Sequence, residues 1–185
     1  VNVFRIYTSP DTAICNGESA QLNVYGSLGN AYTWTPITDL SDPNIQNPIA
    51  SPSTTTTYFV SVTNIGGCQD QDSVTVAIYD APTASFDWEI VPACEGVFVT
   101  FDNTSVDGVS FLWDFFDGET DTEENTSHTF PYGVQFSTSL TVTNVNGCIS
   151  TITNTDTPLR YEDYFTLYIP NVFTPNGDLV NDTFE

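Results

Sequence analysis

Residues 60–68 read Val-Ser-Val-Thr-Asn-Ile-Gly-Gly-Cys, and residues 140–148 read Leu-Thr-Val-Thr-Asn-Val-Asn-Gly-Cys. Five of the nine positions are identical, at an offset of 80 (140 − 60). The match extends backwards along the chain. Cys15-Asn16-Gly17 parallels Cys94-Glu95-Gly96, and a Trp follows each first Cys by 19 residues, at Trp34 and Trp113. The second Cys then follows that Trp by 34 residues in one repeat and 35 in the other. Self-similarity at a fixed period of this kind marks a chain assembled from repeated structural units.

Within each repeat, apolar and polar residues alternate in short runs separated by turn residues, the period-2 pattern of half-buried strands. The expected strands are Ala20–Tyr25, Ala31–Thr35, Thr57–Asn64 and Ser73–Tyr79 in the first repeat. In the second they are Thr83–Trp88, Val97–Asn103, Val109–Phe115, Gln135–Asn144 and Cys148–Thr153. Asn64-Ile65-Gly66-Gly67 and Asn144-Val145-Asn146-Gly147 read as hairpin turns, because Asn and Gly tolerate positive φ. No stretch carries helical periodicity with caps. A Cys…Trp…Cys frame on such strands predicts a two-sheet sandwich with Trp34 and Trp113 in the core.

The four cysteines are Cys15, Cys68, Cys94 and Cys148, and none lies in C-x₂-C zinc spacing. Four cysteines allow three pairings; the repeat favours Cys15–Cys68 and Cys94–Cys148, one bridge per repeat. Each would close a loop of about fifty residues, which on the chain-entropy model is worth roughly 4 kcal/mol. Two disulfides place the chain in the periplasm or outside the cell.

Charge narrows the partners. Two Lys or Arg against 24 Asp or Glu give a formal net charge of −22 and a pI near 4.1. Phosphate backbones and anionic lipid surfaces are bound by basic side chains, so this composition excludes nucleic acid and argues against anionic membrane surfaces. At 39% hydrophobic and 14% aromatic residues the chain is too apolar for an acidic disordered tail. No apolar run is long enough to span a bilayer, so membrane insertion is not expected. The chain has no Met and begins Val1-Asn2-Val3, which reads as an internal or processed piece of a longer protein.

A catalytic constellation is missing from the pattern. The single histidine, His128, has no evident nucleophile or metal-ligand partner in sequence, and no G-x-S-x-G elbow occurs. No catalytic residue and no obligatory cofactor is assigned, and the chain is expected not to be an enzyme. Two oxygen-rich stretches are candidates for Ca²⁺, a hard cation that needs several converging oxygens. One holds Asp114, Asp117, Glu119 and Asp121, with Glu123 and Glu124 beside them. The other holds Asn176, Asp178, Asn181 and Asp182. The competing readings are a solvated acidic loop for the first and Asx-type turns for the second.

Three resemblances follow from particular motifs. Phe111-Leu112-Trp113-Asp114-Phe115-Phe116-Asp117-Gly118, followed by Asn125-Thr126-Ser127-His128-Thr129-Phe130, resembles the core of PKD (polycystic-kidney-disease) domains. Phe116 stands where that pattern has Gly, and Thr126 where it has Pro. The family implies a structural, hydrogen-bonding role for His128. Asp11-Thr12-Ala13-Ile14-Cys15, Tyr32-Thr33-Trp34-Thr35-Pro36 and Thr54-Thr55-Thr56-Thr57-Tyr58 are similar to Ig-like modules of large Bacteroidota surface proteins. Finally, Tyr168-Ile169-Pro170-Asn171-Val172-Phe173-Thr174-Pro175-Asn176-Gly177-Asp178, continuing to Asn181-Asp182-Thr183-Phe184, resembles the opening of the gliding-motility-associated C-terminal domain. That resemblance implies export through the type IX secretion system.

The expected architecture is therefore all-β. It has two tandem Ig-like and PKD sandwiches, each with one disulfide, over residues 1–80 and 81–158. Residues 159–185 supply a linker and the first strand and loop of an incomplete sorting domain. The expected function is a non-catalytic structural and adhesive segment of a secreted cell-surface protein, extracellular and associated with the outer membrane. Its expected partners are the type IX secretion and attachment machinery, neighbouring repeats of the same chain, and an extracellular polysaccharide or other surface ligand. The alternatives are an accessory region of a secreted polysaccharide-degrading enzyme and a subunit of an extracellular filament.

Overall fold

A computed structural model of the chain describes residues 3–91, 96–131 and 137–154. The strands before the Asp80-Ala81-Pro82 connection are β1 (Ile6–Thr8), β2 (Thr12–Cys15), β3 (Ala20–Gln21), β4 (Val24–Gly26), β5 (Ala31–Thr35), β6 (Ile49–Ala50), β7 (Thr56–Thr63) and β8 (Gln69–Tyr79). After it come β9 (Phe86–Val91), β10 (Val97–Asn103), β11 (Ser110–Asp114), β12 (Thr120–Asp121), β13 (Thr126–Phe130), β14 (Ser139–Thr143) and β15 (Ile149–Thr153). The described residues form no α-helix, and so none long and apolar enough to cross a membrane.

The alternation decides which face of each strand is buried. In β7, Tyr58, Val60 and Val62 are buried while Phe59, one position out of phase, is exposed. In β10, Val97, Val99 and Phe101 point inward in the same way. These inward faces build two separate apolar clusters. One gathers Leu22, Val24, Trp34, Tyr58, Val60, Val62, Val74 and Val76. It draws on the sheet β2-β8-β7-β5 and on the small sheets β1-β4 and β3-β6. The other gathers Val99, Phe101, Trp113, Phe115, Phe130, Leu140 and Val142, from the sheets β12-β11-β14-β15 and β13-β10-β9.

Trp34 and Trp113 are fully buried, one in each cluster. Their indoles are used alike. Trp34 Nε1 donates to the Ile45 carbonyl and Trp113 Nε1 to the Glu123 carbonyl, both at 3.0 Å, so neither polar edge is stranded in the core. Each pairs in register with an apolar residue of the next strand, Trp34 with Val60 and Trp113 with Leu140.

Both expected turns form. In the β7–β8 turn, Asn64 N and the Cys68 carbonyl bond at 2.9 Å, and Asn64 Oδ1 accepts from Cys68 N at 2.9 Å. In the β14–β15 turn the same two bonds join Asn144 and Cys148, at 2.9 and 3.0 Å. Gly67 and Gly147 hold φ of +79° and +82°, a backbone state that an L side chain would strain. Phe116 takes φ +56° at the position where Gly was the family norm. Its ring is exposed, and its N–H donates to Asp114 Oδ1 at 2.8 Å, which supports the bend.

Two features depart from the sequence reading. The stretch Ala20–Tyr25 is divided, because Leu22 N bonds to the Pro48 carbonyl and separates β3 from β4. More importantly, Thr12–Cys15 is a strand, paired in parallel with the end of β8 so that Cys15 lies opposite Tyr79. That pairing rules out the expected Cys15–Cys68 bridge. Cys68 precedes the other end of β8, an 11-residue strand whose ends lie roughly 33 Å apart at about 3.3 Å per residue. A disulfide needs Cα atoms about 4.4–6.8 Å apart. Cys15 bonds instead to Cys148, with a Cα–Cα distance of 5.6 Å. This also removes Cys148 from the expected Cys94–Cys148 pair; Cys94 lies outside the described residues. Cys68 is an exposed free thiol.

Candidate functional site

The place where the two clusters meet is built from three contacts. The chain crosses once, through Asp80-Ala81-Pro82. The Cys15–Cys148 bond crosses a second time, linking the end of β2 to the residue that opens β15. Asn144 adds a third connection, its Nδ2 donating to the Asp80 carbonyl at 2.8 Å. Asn144 is almost fully buried, and its Oδ1 also accepts from Asn146 N and Cys148 N, both at 3.0 Å. One side chain therefore ties the turn bearing Cys148 to the connecting segment. Beside it lies an open cleft of about 450 Å³, lined by Asp80, Ala81, Asp107, Gly108, Asn144 and Asn146 among others.

A second junction device holds the start of the chain on β8. The Asp72 carboxylate accepts from Thr8 N at 2.7 Å and Thr8 Oγ1 at 3.0 Å, and Asp70 accepts from Ile6 N at 2.9 Å. Asp11 accepts from Thr75 N at 2.7 Å, immediately before β2 begins. Burial alone would raise Asp72, but the N–H groups of Thr8 and Ser73 and the Thr8 hydroxyl outweigh it and hold the carboxyl below its ordinary range. These aspartates deliver β2, and with it Cys15, to the Tyr79 end of β8.

The acidic stretch expected as a calcium site is organised differently. Asp114 Oδ1 caps Phe116 N, and Asp117 Oδ1 accepts from Glu119 N at 3.0 Å. Asp121 accepts from Thr122 N, Glu123 N and the Thr126 hydroxyl. Their oxygens satisfy neighbouring backbone and hydroxyl donors rather than converge on one point. Among the described residues no group of three or more His, Cys, Asp or Glu forms a metal-holding arrangement. The structure places the expected set Asp114, Asp117, Glu119 and Asp121 in a loop of carboxylate-capped turns. The other set, Asn176, Asp178, Asn181 and Asp182, lies outside the described residues. So does the sorting-domain motif, Pro170, Asn171, Phe173, Thr174, Pro175, Asn176, Gly177, Asp178, Asn181 and Asp182.

His128 belongs to this loop. Its ring stacks on Phe115 with centroids 4.1 Å apart and planes 6° apart, and meets Phe130 edge-on at 4.6 Å. Nε2 lies 2.7 Å from Asp117 Oδ2, and Nδ1 lies 3.8 Å from Glu119 Oε2. The imidazole thus plugs the edge of the second cluster and anchors the loop through Asp117. The Glu119 N–H, then the bond and charge of His128, hold the Asp117 carboxyl below the ordinary range. Asp121 is held down chiefly by the Thr126 hydroxyl and then by the Glu123 N–H. These contacts position the loop against the second cluster.

Sequence reasoning placed Trp34, Trp113 and His128, but missed Cys15–Cys148, the Asn144–Asp80 strut and the aspartate clamp on β1. The signal for Asn144 was present, because Asn64 and Asn144 are identical within the repeat.

Residues 79–158 match the family model of the PKD domain. The chain contains a PKD-type module. The matched residues include every strand that contributes to the second cluster. Among solved structures, the chain is similar to the PKD1 domain of the Vibrio cholerae metalloprotease PrtV. That match has 38% identity, covers 40% of this chain and 90% of that one, and has a TM-score of 0.35. It is also similar to the PKD1 domain of Vibrio anguillarum Epp, at 35% identity, 40% and 87% coverage and a TM-score of 0.34. A Ca²⁺-stabilised adhesin of an ice-binding Antarctic bacterium matches at 12% identity, with 82% and 48% coverage and a TM-score of 0.49. No curated protein matches the chain.

Proposed function

We propose that this chain is a non-catalytic spacer in a secreted bacterial cell-surface adhesin, two sandwich modules held at a fixed angle near a type IX sorting domain. The observation that carries this reading is the second covalent crossing, Cys15–Cys148, beside the short Asp80-Ala81-Pro82 connection. Modules joined by one flexible tether swivel, whereas two separate covalent links and the Asn144 strut restrain both bend and twist. A net charge of −22 keeps such a spacer soluble and repelled from anionic surfaces. The role of residues 159–185 rests on the resemblance of Pro170–Asp182 to the gliding-motility-associated C-terminal domain. In this reading the ligand, a polysaccharide or other surface component, is bound by a more distal part of the protein.

The test is replacement. In the full surface protein, residues 3–154 are deleted, or exchanged for two unrelated rigid sandwiches of equal length. Deletion should preserve surface display but weaken adhesion to an immobilised ligand, and the unrelated pair should restore it. Failure of that pair to restore adhesion would assign ligand binding to these modules and end the spacer reading. Separately, deletion of 170–185 should abolish export while both modules still fold.

A further inference from the structure

The two halves repeat in sequence, yet the observed bond does not lie within either repeat. It runs from the first Cys of one repeat, Cys15, to the second Cys of the next, Cys148. This rule has a consequence for Cys68, the first repeat's own second cysteine. Cys68 closes a turn with the same hydrogen bonds as the turn of Cys148: Asn64 N to the Cys68 carbonyl, Cys68 N to Asn64 Oδ1, and Gly67 N to the Asn64 carbonyl at 3.0 Å. The ground around the two turns is also alike. Asn30 N donates to the Thr63 carbonyl at 2.7 Å, as Val109 N does to that of Thr143 at 2.8 Å. A Cβ on Gly29 would collide with Val62 Cγ1, and one on Gly108 with Val142 Cγ1, so both loops press against the same strand position. In the second half this face meets the first half, and Cys148 is 1% exposed. In the first half the equivalent cysteine is uncovered: Cys68 is exposed.

We infer that Cys68 is an inter-module cross-link site, bonded to the Cys15-equivalent of a further module that precedes Val1 in the same polypeptide. Each module then gives its first cysteine to the module after it and its second to the module before it, forming a relay of bridges along a tandem array. The inference rests on the proposed modular spacer. Asn64 would supply the matching strut. Asn144 reaches the Asp80 carbonyl, and Asn64 holds the same position in the first repeat's turn. Bond formation is a two-electron oxidation. The Cys68 thiol and its partner each lose a hydrogen, the S–S bond forms, and two electrons and two protons pass to the disulfide of a thiol–disulfide oxidant, which leaves as a dithiol.

The test is disulfide mapping of the full protein as cells export it, alkylated with iodoacetamide before denaturation and digested without reductant. The expected result is a Cys15–Cys148 pair, a second pair joining Cys68 to a cysteine peptide upstream of Val1, and loss of alkylation at Cys68. A Cys68→Ser variant should expose one new alkylatable thiol upstream of Val1. Alkylated Cys68, or Cys68 bonded to Cys94 or to Cys68 of a second chain, overturns the relay. If Cys15–Cys148 is still recovered in that case, the spacer reading survives. A Cys15–Cys68 pair would remove the crossing bridge itself and overturn both.

Discussion

Truncating Trp113 to Ala should unfold one half of the protein and spare the other. Trp113 has no exposed surface, its Nε1 bonds to the Glu123 carbonyl, and its ring packs against Phe86 at 5.1 Å and Phe101 at 5.5 Å. Removing a large buried aromatic costs about 3–5 kcal/mol through lost burial and a residual cavity. Losing the indole hydrogen bond adds about 1 kcal/mol. Against a typical domain stability of roughly 5–15 kcal/mol, that takes about a quarter or more of what holds the second cluster together. The first cluster shares no buried residue with the second, so its own balance should be untouched. Urea titration followed by ¹⁹F NMR of 5-fluorotryptophan would resolve the two. Trp88, packed on the second cluster, should report an early transition, and Trp34 an unchanged midpoint. The Cys15–Cys148 bond is present in parent and variant alike, so its effect on the unfolded chain cancels. A loss below about 1 kcal/mol, or a Trp34 midpoint that moves with Trp88, would refute the reasoning.

Two further outcomes follow from the contacts at the junction and the loop. Asn144→Ala removes three side-chain hydrogen bonds, to Asp80, Asn146 and Cys148, and should cost about 2–3 kcal/mol at roughly 1 kcal/mol each. Limited proteolysis should then cut the Asp80–Pro82 connection faster, and an unchanged cleavage rate would show that the strut does not restrain it. Asp72, Asp117 and Asp121 all have folded pKa values below their ordinary range, so their stabilisation is complete above the unfolded value near 3.9 and is lost as pH falls through the depressed values. Thermal melts should fall steeply on acidification below about pH 4, and less steeply in a D72N/D117N/D121N variant; equal slopes would contradict the assignment.

The layered β architecture was legible because alternation and turn chemistry are local. β5 and β10 coincide with their expected spans, and the Asn-x-x-Gly turns form with the Gly φ values that their chemistry requires. The buried tryptophans were legible from the Cys–Trp frame. The disulfide was not, because spacing along a chain does not say at which end of a strand a residue arrives. That was settled by the parallel pairing of β2 with β8, a non-local contact guided by Asp11, Asp70 and Asp72. Those three are scattered acids in sequence, indistinguishable from the solvated charge around them. The organisation of the acidic loop was hidden for a related reason: residue density gave oxygens, but not that Asp114, Asp117 and Asp121 would each accept from a backbone N–H one or two residues on.

The bridge from Cys15 to Cys148 also decides what happens when the molecule is pulled. Tension applied at the two ends enters along the first strands, passes from Cys15 through sulfur to Cys148, and leaves along β15. Nearly everything between lies outside the load path, including both tryptophans and the Asp80-Ala81-Pro82 connection. The strands that do bear load, β2 and β15, are both edge strands, each held by a single neighbour, β8 in parallel and β14 antiparallel. The sequence separation of 133 residues shielded by the bridge would otherwise release roughly 450 Å of slack at about 3.4 Å per residue. With the bridge intact, stretching lengthens the chain only by its two ends.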